Sequence, residues 1–175
     1  MKKYVIDIFR DPSQLNELVS DLKDFNDRIQ SKANEIANRL AQLGYEVASL
    51  GFDSAQYDGY NDAVVHIEPI GPATYKVIAD GHAALFIEFG AGIAYNYNAA
   101  HPEAAQNGMG PGTYNPESDA WMRPEGWYMP GPSAEERGLV HTYGNPPEMP
   151  MYLAVKELEE RLAEIAQEVF NDDRY

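Results

Sequence analysis

The sequence contains no cysteine among its 175 residues. Disulfide bonds, thiol nucleophiles and thiolate metal sites are therefore excluded. It also has no run of about 20 apolar residues, the length that a membrane-spanning helix requires. At the amino terminus, Asp7 and Arg10 interrupt the apolar residues that follow two lysines, so we expect no signal peptide. These absences predict a soluble protein that is made in a cytoplasm and does not enter a membrane.

Basic residues are scarce. The chain has 13 Lys and Arg against 28 Asp and Glu, which gives a formal net charge of −15. Binding to nucleic acid independently of its sequence requires clustered Lys and Arg, and no such cluster occurs. The acidic residues are spread along the whole chain. They indicate either ordinary solubility or an acidic surface past which DNA slides without sticking, and composition leaves both interpretations open.

The usual motifs of catalysis are missing as well. There is no Gly-x-Ser-x-Gly nucleophile elbow. The glycine-rich stretch 108–112 lacks the Lys-Ser/Thr of a phosphate-binding loop. The pair Gly90 and Gly92 lacks the third glycine of a dinucleotide-binding turn. We therefore predict a protein that is not an enzyme and binds no cofactor.

One metal site remains as an alternative. His82 and Glu88 are six residues apart, which on a strand would place them on one face. Either His101 or His141 would complete a set of two histidines and one carboxylate. Isolated histidines in loops explain the same residues with fewer assumptions, so we predict no metal.

Two segments have the periodicity of amphipathic helices. The first runs from Ser13 towards Gly44, a candidate carboxyl-terminal cap, and is about 30 residues or 45 Å long. The pattern also allows a break near Asn26. A helix this long in a small domain indicates that a partner covers part of its apolar stripe, although packing on its own sheet is the commoner case. The second helix begins at Pro150.

A small sheet is predicted between the helices. A loop rich in turn-forming residues follows from Gly51, and then two strand-like runs cover 63–68 and 75–80. A third apolar run, 83–90, fits either a strand or a helix. The chain is predicted to be a single α+β domain, residues 1–175, with an antiparallel sheet backed by the helices.

Residues 94–147 differ from the rest of the chain. They contain 8 of the 12 prolines, 7 of the 14 glycines and both tryptophans. A connection this long is normally functional or disordered, and disordered linkers are poor in aromatic residues. We therefore predict a long loop that either docks on a partner or folds back on its own domain. Its candidate contact residues are Trp121, Trp127, Tyr128 and Tyr143.

Two motifs in order resemble one family. Residues 85–92, Leu-Phe-Ile-Glu-Phe-Gly-Ala-Gly, resemble the Glu-Phe-Gly signature of minor tail components of siphophages, called tail-completion or head–tail joining proteins. Residues 145–154 are similar to the proline-containing segment that leads into the last helix of that family. Residues 141–144, His-Thr-Tyr-Gly, are typical of prophage members from Gram-positive hosts. The 94–147 loop is longer than in many members.

The resemblance implies assembly rather than catalysis. A member of this family is expected in the virion, in the neck or at the top of the tail, after assembly in the host cytoplasm. It would form a homo-oligomeric, six-fold ring beside other neck, connector and tail proteins, with the genome DNA passing through its lumen. The assembly candidates from the two motifs are Glu88, Phe89, Gly90, Met149 and Tyr152. Glu88 is expected to cap or salt-bridge a neighbour.

Two other functions stay open. The first is a module that binds a carbohydrate or a peptide through the aromatic loop, with Trp121 and Trp127 as its contacts. The second is a metal-dependent, tail-associated hydrolase built on His82, Glu88 and a loop histidine.

Overall fold

A computed structural model of the chain describes residues 13–92, 101–104, 106, 123–130 and 138–172. These residues form three α-helices and two β-hairpins: α1 (Ser13–Ser54), β1 (Val64–Gly71), β2 (Thr74–Asp80), α2 (Ala84–Phe89), β3 (Trp127–Pro130), β4 (Leu139–Thr142) and α3 (Pro150–Asn171). The α+β class predicted from the sequence is confirmed. None of the helices in these ranges is long and apolar enough to cross a lipid bilayer.

Helix α1 is a single helix of 42 residues without a break at Asn26. At 1.5 Å per residue it is about 63 Å long. The prediction that it ends at Gly44 and gives way to a loop at Gly51 is wrong, because the helix continues through both glycines to Ser54. Tertiary packing explains this result: a Cβ on Gly44 would lie 3.4 Å from side-chain atoms of Leu158 and Val77. The glycines allow a close approach rather than a stop.

Helix α3 packs on the carboxyl-terminal half of α1. Small residues of α1 recur every three or four positions along one stripe, at Ala41, Gly44, Ala48 and Gly51, and residues at this spacing lie on one face of a helix. Ala48 is fully buried, and Gly51 lies against Pro150 at the start of α3. The two helices therefore pack closely. At the other end of α3, the ammonium of Lys32 donates a hydrogen bond to the carbonyl of Val169.

The hairpin of β1 and β2 matches the prediction from the sequence. The strands pair antiparallel, from Val64 opposite Asp80 to Gly71 opposite Thr74. The turn of the hairpin is attached to α1, because the backbone N–H of Ala73 donates to Asn34 Oδ1 over 3.2 Å. The hairpin and α3 thus cover the same half of α1.

The ambiguous run 83–90 is a short helix. The carboxylate of Asp62 accepts hydrogen bonds from the backbone N–H groups of His82, over 3.0 Å, and Ala83, over 2.8 Å. These bonds hold the pKa of Asp62 below its ordinary value. Backbone donors at the start of a helix favour a negative charge, so Asp62 stabilises the start of α2 from 22 residues upstream of Ala84.

The segment 94–147 contains regular structure. The prediction of a loop throughout 94–147 is wrong towards its carboxyl-terminal end, where β3 and β4 form an antiparallel hairpin with Trp127 opposite Thr142. This hairpin is anchored to the body, since the hydroxyl of Thr142 donates to Asp58 Oδ2 over 2.8 Å. Folding back on the domain, one of the two alternatives, is therefore what this part of the segment does.

The buried core is small and rich in alanine. It joins α1, α2, α3 and β1 through these residues: Ala48, Phe52, Val65, Ala83, Ala84, Ile87 and Ala154. By contrast, the amino-terminal part of α1 carries an exposed apolar stripe, which we call the α1 stripe: Leu15, Val19, Leu22, Phe25 and Ile29. The core holds the carboxyl-terminal half of α1, and the described residues leave the α1 stripe uncovered.

The close approach of α1 and α3 predicts different effects at two glycines of one helix. A Cβ on Gly51 would lie 2.8 Å from Pro150 Cβ, whereas a Cβ on Gly44 meets only side-chain atoms at 3.4 Å. We expect Gly51→Ala to reduce the free energy of unfolding by about 1–3 kcal/mol through overpacking. Gly44→Ala should be neutral or should stabilise the protein by up to about 1 kcal/mol, the helix preference of alanine. Urea denaturation of both variants is the measurement, and equal effects would contradict this packing.

Candidate functional site

Glu88 lies at the junction of α2 and α3 and is 7 % exposed. Its Oε2 accepts a hydrogen bond from the backbone N–H of Met151 over 2.8 Å, and its Oε1 accepts one from the N–H of Tyr152 over 3.0 Å. The first residues of a helix have no intrahelical partner for their N–H groups. Pro150 has no N–H, and Leu153 donates to the carbonyl of Met149 over 2.9 Å. Glu88 therefore accepts the hydrogen bonds of the N–H groups at the start of α3 that have no partner within the helix.

His101 supplies a third hydrogen bond to the same carboxylate. Its Nε2 lies 3.0 Å from Glu88 Oε1, and its imidazole ring is almost fully buried. The backbone N–H of Glu103 donates to His101 Nδ1 over 3.1 Å. Because Nδ1 accepts, the proton belongs on Nε2, which donates to Glu88. A buried carboxylate with three donors is satisfied and does not need a counter-ion.

The segment that precedes α3 in turn donates hydrogen bonds to the last turn of α2. The side-chain amide of Asn145 donates to the carbonyl of Phe86 over 2.7 Å, and the N–H of Glu148 donates to the carbonyl of Ile87 over 2.9 Å. These carbonyls lie in the last turn of α2, where intrahelical donors run out. The two segments thus cap each other. We call this arrangement the reciprocal cap, formed by Glu88 on one side and Asn145 and Glu148 on the other.

Two glycines allow the segments of the reciprocal cap to approach this closely. Gly90 has φ +76°, and a Cβ there would lie 2.8 Å from the backbone nitrogen of Pro147. Gly144 has φ +94°, and a Cβ there would overlap the carbonyl of Ala91. Next to them, Ala91 and Asn145 form an antiparallel bridge with two backbone hydrogen bonds of 2.9 and 3.0 Å. Only glycine takes such backbone angles at little cost.

Aromatic rings pack beside the reciprocal cap. The rings of Phe89 and His101 have centroids 4.4 Å apart, and those of His101 and Tyr152 are 5.3 Å apart. Met149 precedes α3 with a left-handed backbone, φ 55°. The structure therefore brings together five of the predicted site residues, Glu88, Phe89, Gly90, Met149 and Tyr152. Their contacts are made within the chain, and they form an internal junction.

Two of the four predicted aromatic residues, Trp127 and Tyr128, lie on the second hairpin, and Tyr143 directly follows its last strand. Tyr128 is 66 % exposed, and Tyr143 is 54 % exposed. His141 lies between them, with ring centroids 4.9 Å from each. Trp127 is half-buried, and its ring approaches Gly92. Trp121 lies outside the described residues. The exposed row on this surface is therefore formed by Tyr128, His141 and Tyr143.

The proposed metal ligands do not assemble. Glu88 is engaged by backbone donors and His101, while His82 is exposed and His141 lies in the aromatic row. Within the part of the chain that the structure describes, no group of three His, Asp or Glu side chains is placed to hold a metal ion. The pair of His101 and Glu88 is a structural contact whose remaining polar atoms already have partners.

Sequence reasoning overlooked three residues of this arrangement. Asp62 caps α2, Asn145 ties the two motifs together, and His101 was considered only as a metal ligand. Asn145 stands directly before two prolines, and a short polar side chain at such a position often bonds to nearby backbone. No local signal identifies its partner, Phe86, 59 residues away.

The reciprocal cap predicts a large loss of stability from a small chemical change. Glu88→Gln places an amide group against a backbone donor, and we expect the free energy of unfolding to fall by about 2–3 kcal/mol. The matched control is Glu160→Gln, on an exposed face of α3, which should change stability by no more than about 0.5 kcal/mol. Chemical denaturation of both variants is the measurement. Equal effects would show that Glu88 does not hold α3.

No family model matches this sequence, and neither a curated protein nor a solved structure is significantly similar to it.

Proposed function

We propose that this protein is a non-enzymatic, structural subunit of the neck of a long-tailed bacteriophage, a tail-completion or head–tail joining protein. It forms a homo-oligomeric ring at the top of the tail, with the genome DNA passing through the lumen. Its neighbours are other neck, connector and tail proteins, and it assembles in the cytoplasm of the bacterial host. This role requires no cofactor.

The observation that carries the proposal is the reciprocal cap. The two segments that resemble the siphophage family, 85–92 and 145–154, lie far apart in the chain and yet complete each other's helices. There, Glu88 and Asn145 form hydrogen bonds to the ends of the two helices, and Gly90 allows the segments to approach closely. Motif residues that meet in one place support the resemblance better than a tripeptide that occurs by chance.

A second support is the α1 stripe. Helix α3 ends beside Lys32, so residues 13–31 extend about 28 Å beyond it. Leu22 and Val19 are each 57 % exposed, and Phe25 is 55 % exposed. A contiguous apolar surface of this kind marks a site of protein association. A subunit whose apolar side chains become buried only in contact with another copy has such a surface.

The charge of the chain suits a DNA channel. The formal net charge is −15, and the basic residues are not clustered. An acidic lumen repels the phosphates of the genome, so DNA slides through without being held.

The mass of the purified protein in solution, measured by light scattering, tests the proposal. We expect a ring with a mass that is a multiple of the 19.5 kDa chain, or a monomer that binds isolated siphophage tails stoichiometrically. Leu22→Glu should weaken this association at least tenfold, because it places a charge in an apolar contact. Ser20→Glu, a matched charge on the opposite face of α1, should leave it unchanged. A monomer that does not bind tails would refute the proposal.

The aromatic row of the second hairpin favours a second function. Tyr128, His141 and Tyr143 present neighbouring rings to solvent, and exposed aromatic rings stack on the apolar faces of sugars. A module that binds a carbohydrate or a peptide would use this surface.

A glycan array distinguishes this second function from a purely structural one. If the row binds glycans, Tyr128→Ala should reduce the signal at least tenfold, since it removes one exposed ring. Tyr60→Ala, at an exposed tyrosine outside the row, should leave the signal unchanged. An array without specific binding would remove this alternative.

A further inference from the structure

An open apolar groove runs between β2 and α3. Two cavities of about 450 and 400 Å³ form its sections, and Val77, Met151 and Val155 line both. Val155 is 49 % exposed, and so is Leu85 in the larger section. The groove is therefore a continuous apolar surface beside the carboxyl-terminal half of α1. It shares Glu88 with the reciprocal cap.

The edge of β2 forms one wall of this groove. Both Val77 and Ile78, which point to opposite faces of the strand, line the larger section, whereas no residue of β1 does. Within the described ranges β2 pairs only with β1, so the backbone groups along its other edge face the groove. Such an edge accepts an additional strand, and an apolar groove beside it selects the side chains of that strand.

One segment of the chain has the pattern of such a strand. Residues 4–9 read Tyr-Val-Ile-Asp-Ile-Phe. Tyr4, Ile6 and Ile8 alternate with the other three and form one wholly apolar face, as β-branched and aromatic residues of a strand do. Six residues extend over about 20 Å, and the seven residues of β2 extend over about 23 Å. The segment and the edge match in length.

Charge favours the same pairing. Residues 1–10 contain three basic residues, Lys2, Lys3 and Arg10, and only one acidic residue, Asp7. The segment is therefore positive in a chain whose net charge is −15. Two acidic residues, Glu103 and Glu159, and one basic residue, Lys156, line the larger section of the groove, and Lys156 pairs with Glu159. A basic strand would approach this acidic body with electrostatic attraction.

The segment cannot fill the groove of its own chain. The near end of the groove is at Ala73, which is hydrogen-bonded to Asn34, and Asn34 lies 21 helical residues, or about 32 Å, from Ser13. A fully extended chain covers at most about 3.6 Å per residue, so Tyr4 reaches about 32 Å from Ser13, and Ile6 and Ile8 reach less. At full extension only Tyr4 would reach the near end of the groove, so residues 4–9 are too short to extend along β2 of their own chain.

We infer that residues 4–9 of one copy add as a third strand to the β2 edge of a neighbouring copy, with Tyr4, Ile6 and Ile8 in the groove. The occupant is a second copy of this chain. The projecting part of α1 delivers the strand, and the α1 stripe packs on the same neighbour. This inference names the contact by which copies associate. It rests on the self-association in the proposed function but not on a role in a phage.

The absence of cysteine makes a direct test available. Two single-cysteine variants of the full chain, Ile6→Cys and Val155→Cys, are mixed under oxidising conditions. A disulfide requires Cα atoms within about 7 Å. Val155 lies far beyond the reach of residue 6 in its own chain, so we expect a mixed disulfide dimer of twice the chain mass. The matched control replaces Val155→Cys with Glu160→Cys, on another face of α3.

The expected result is mixed-dimer formation at least tenfold faster with Val155→Cys than with Glu160→Cys. Equal rates would overturn the inference, and so would an internal disulfide in the double variant Ile6→Cys/Val155→Cys. Ile6→Asp in the full chain should also lower the assembled mass, while Asp7→Asn, on the other face of the segment, should not. A failure of Ile6→Asp to change the mass would count against the inference.

Light scattering and tail binding separate this inference from the proposed function. A ring that forms without the mixed disulfide would refute the strand exchange and leave the ring in place. A mixed disulfide in a protein that neither forms a ring nor binds tails would support the strand exchange and refute the role in the neck. Monomers without the disulfide would refute the strand exchange, and if those monomers also ignore tails, both proposals fail.

Discussion

The carboxylate of Glu88 is the interaction on which the arrangement of the described residues depends. It accepts the N–H groups of Met151 and Tyr152 and a hydrogen bond from His101, and so determines where α3 begins and which way it leaves α2. Asp62 does the same for α2. Neither helix starts with a capping side chain of its own. Both starts are stabilised by carboxylates from distant parts of the chain, so the elements are correctly placed only together.

The second constraint is the difference between the two halves of α1. Its carboxyl-terminal half has small residues at helical spacing, which let α3 and the first hairpin pack closely. Its amino-terminal half has large apolar residues that the described residues do not cover. A core dominated by alanine buries little apolar surface per residue, and the larger side chains that would add stability lie outside it. This distribution suits a protein that gains part of its stability from association, as the proposed ring and strand exchange require.

The sequence predicted part of the fold correctly, and of the candidate site it indicated residues but not their contacts. The two strands of the first hairpin, both long helices and the α+β class followed from hydrophobic periodicity. Glu88 was singled out for a contact with a neighbour, and its carboxylate caps α3 of its own chain. Three expectations failed for one reason. Gly44 as a helix end, the loop from Gly51 and a loop throughout 94–147 were all predicted from local preference, which tertiary contacts overrode. A glycine that ends one helix permits close packing in another, and both look the same in sequence.

By itself the sequence determined the first hairpin, the presence of the two long helices, the absence of thiol chemistry and the strongly acidic charge, because periodicity and composition are local properties. Only the tertiary structure decided that 85–92 and 145–154 meet, that Asn145 bonds to Phe86, and that His101 serves the carboxylate of Glu88 rather than a metal. It also decided which half of α1 is covered. These are contacts between residues far apart in the chain, and each depends on the placement of whole helices, which no short pattern records.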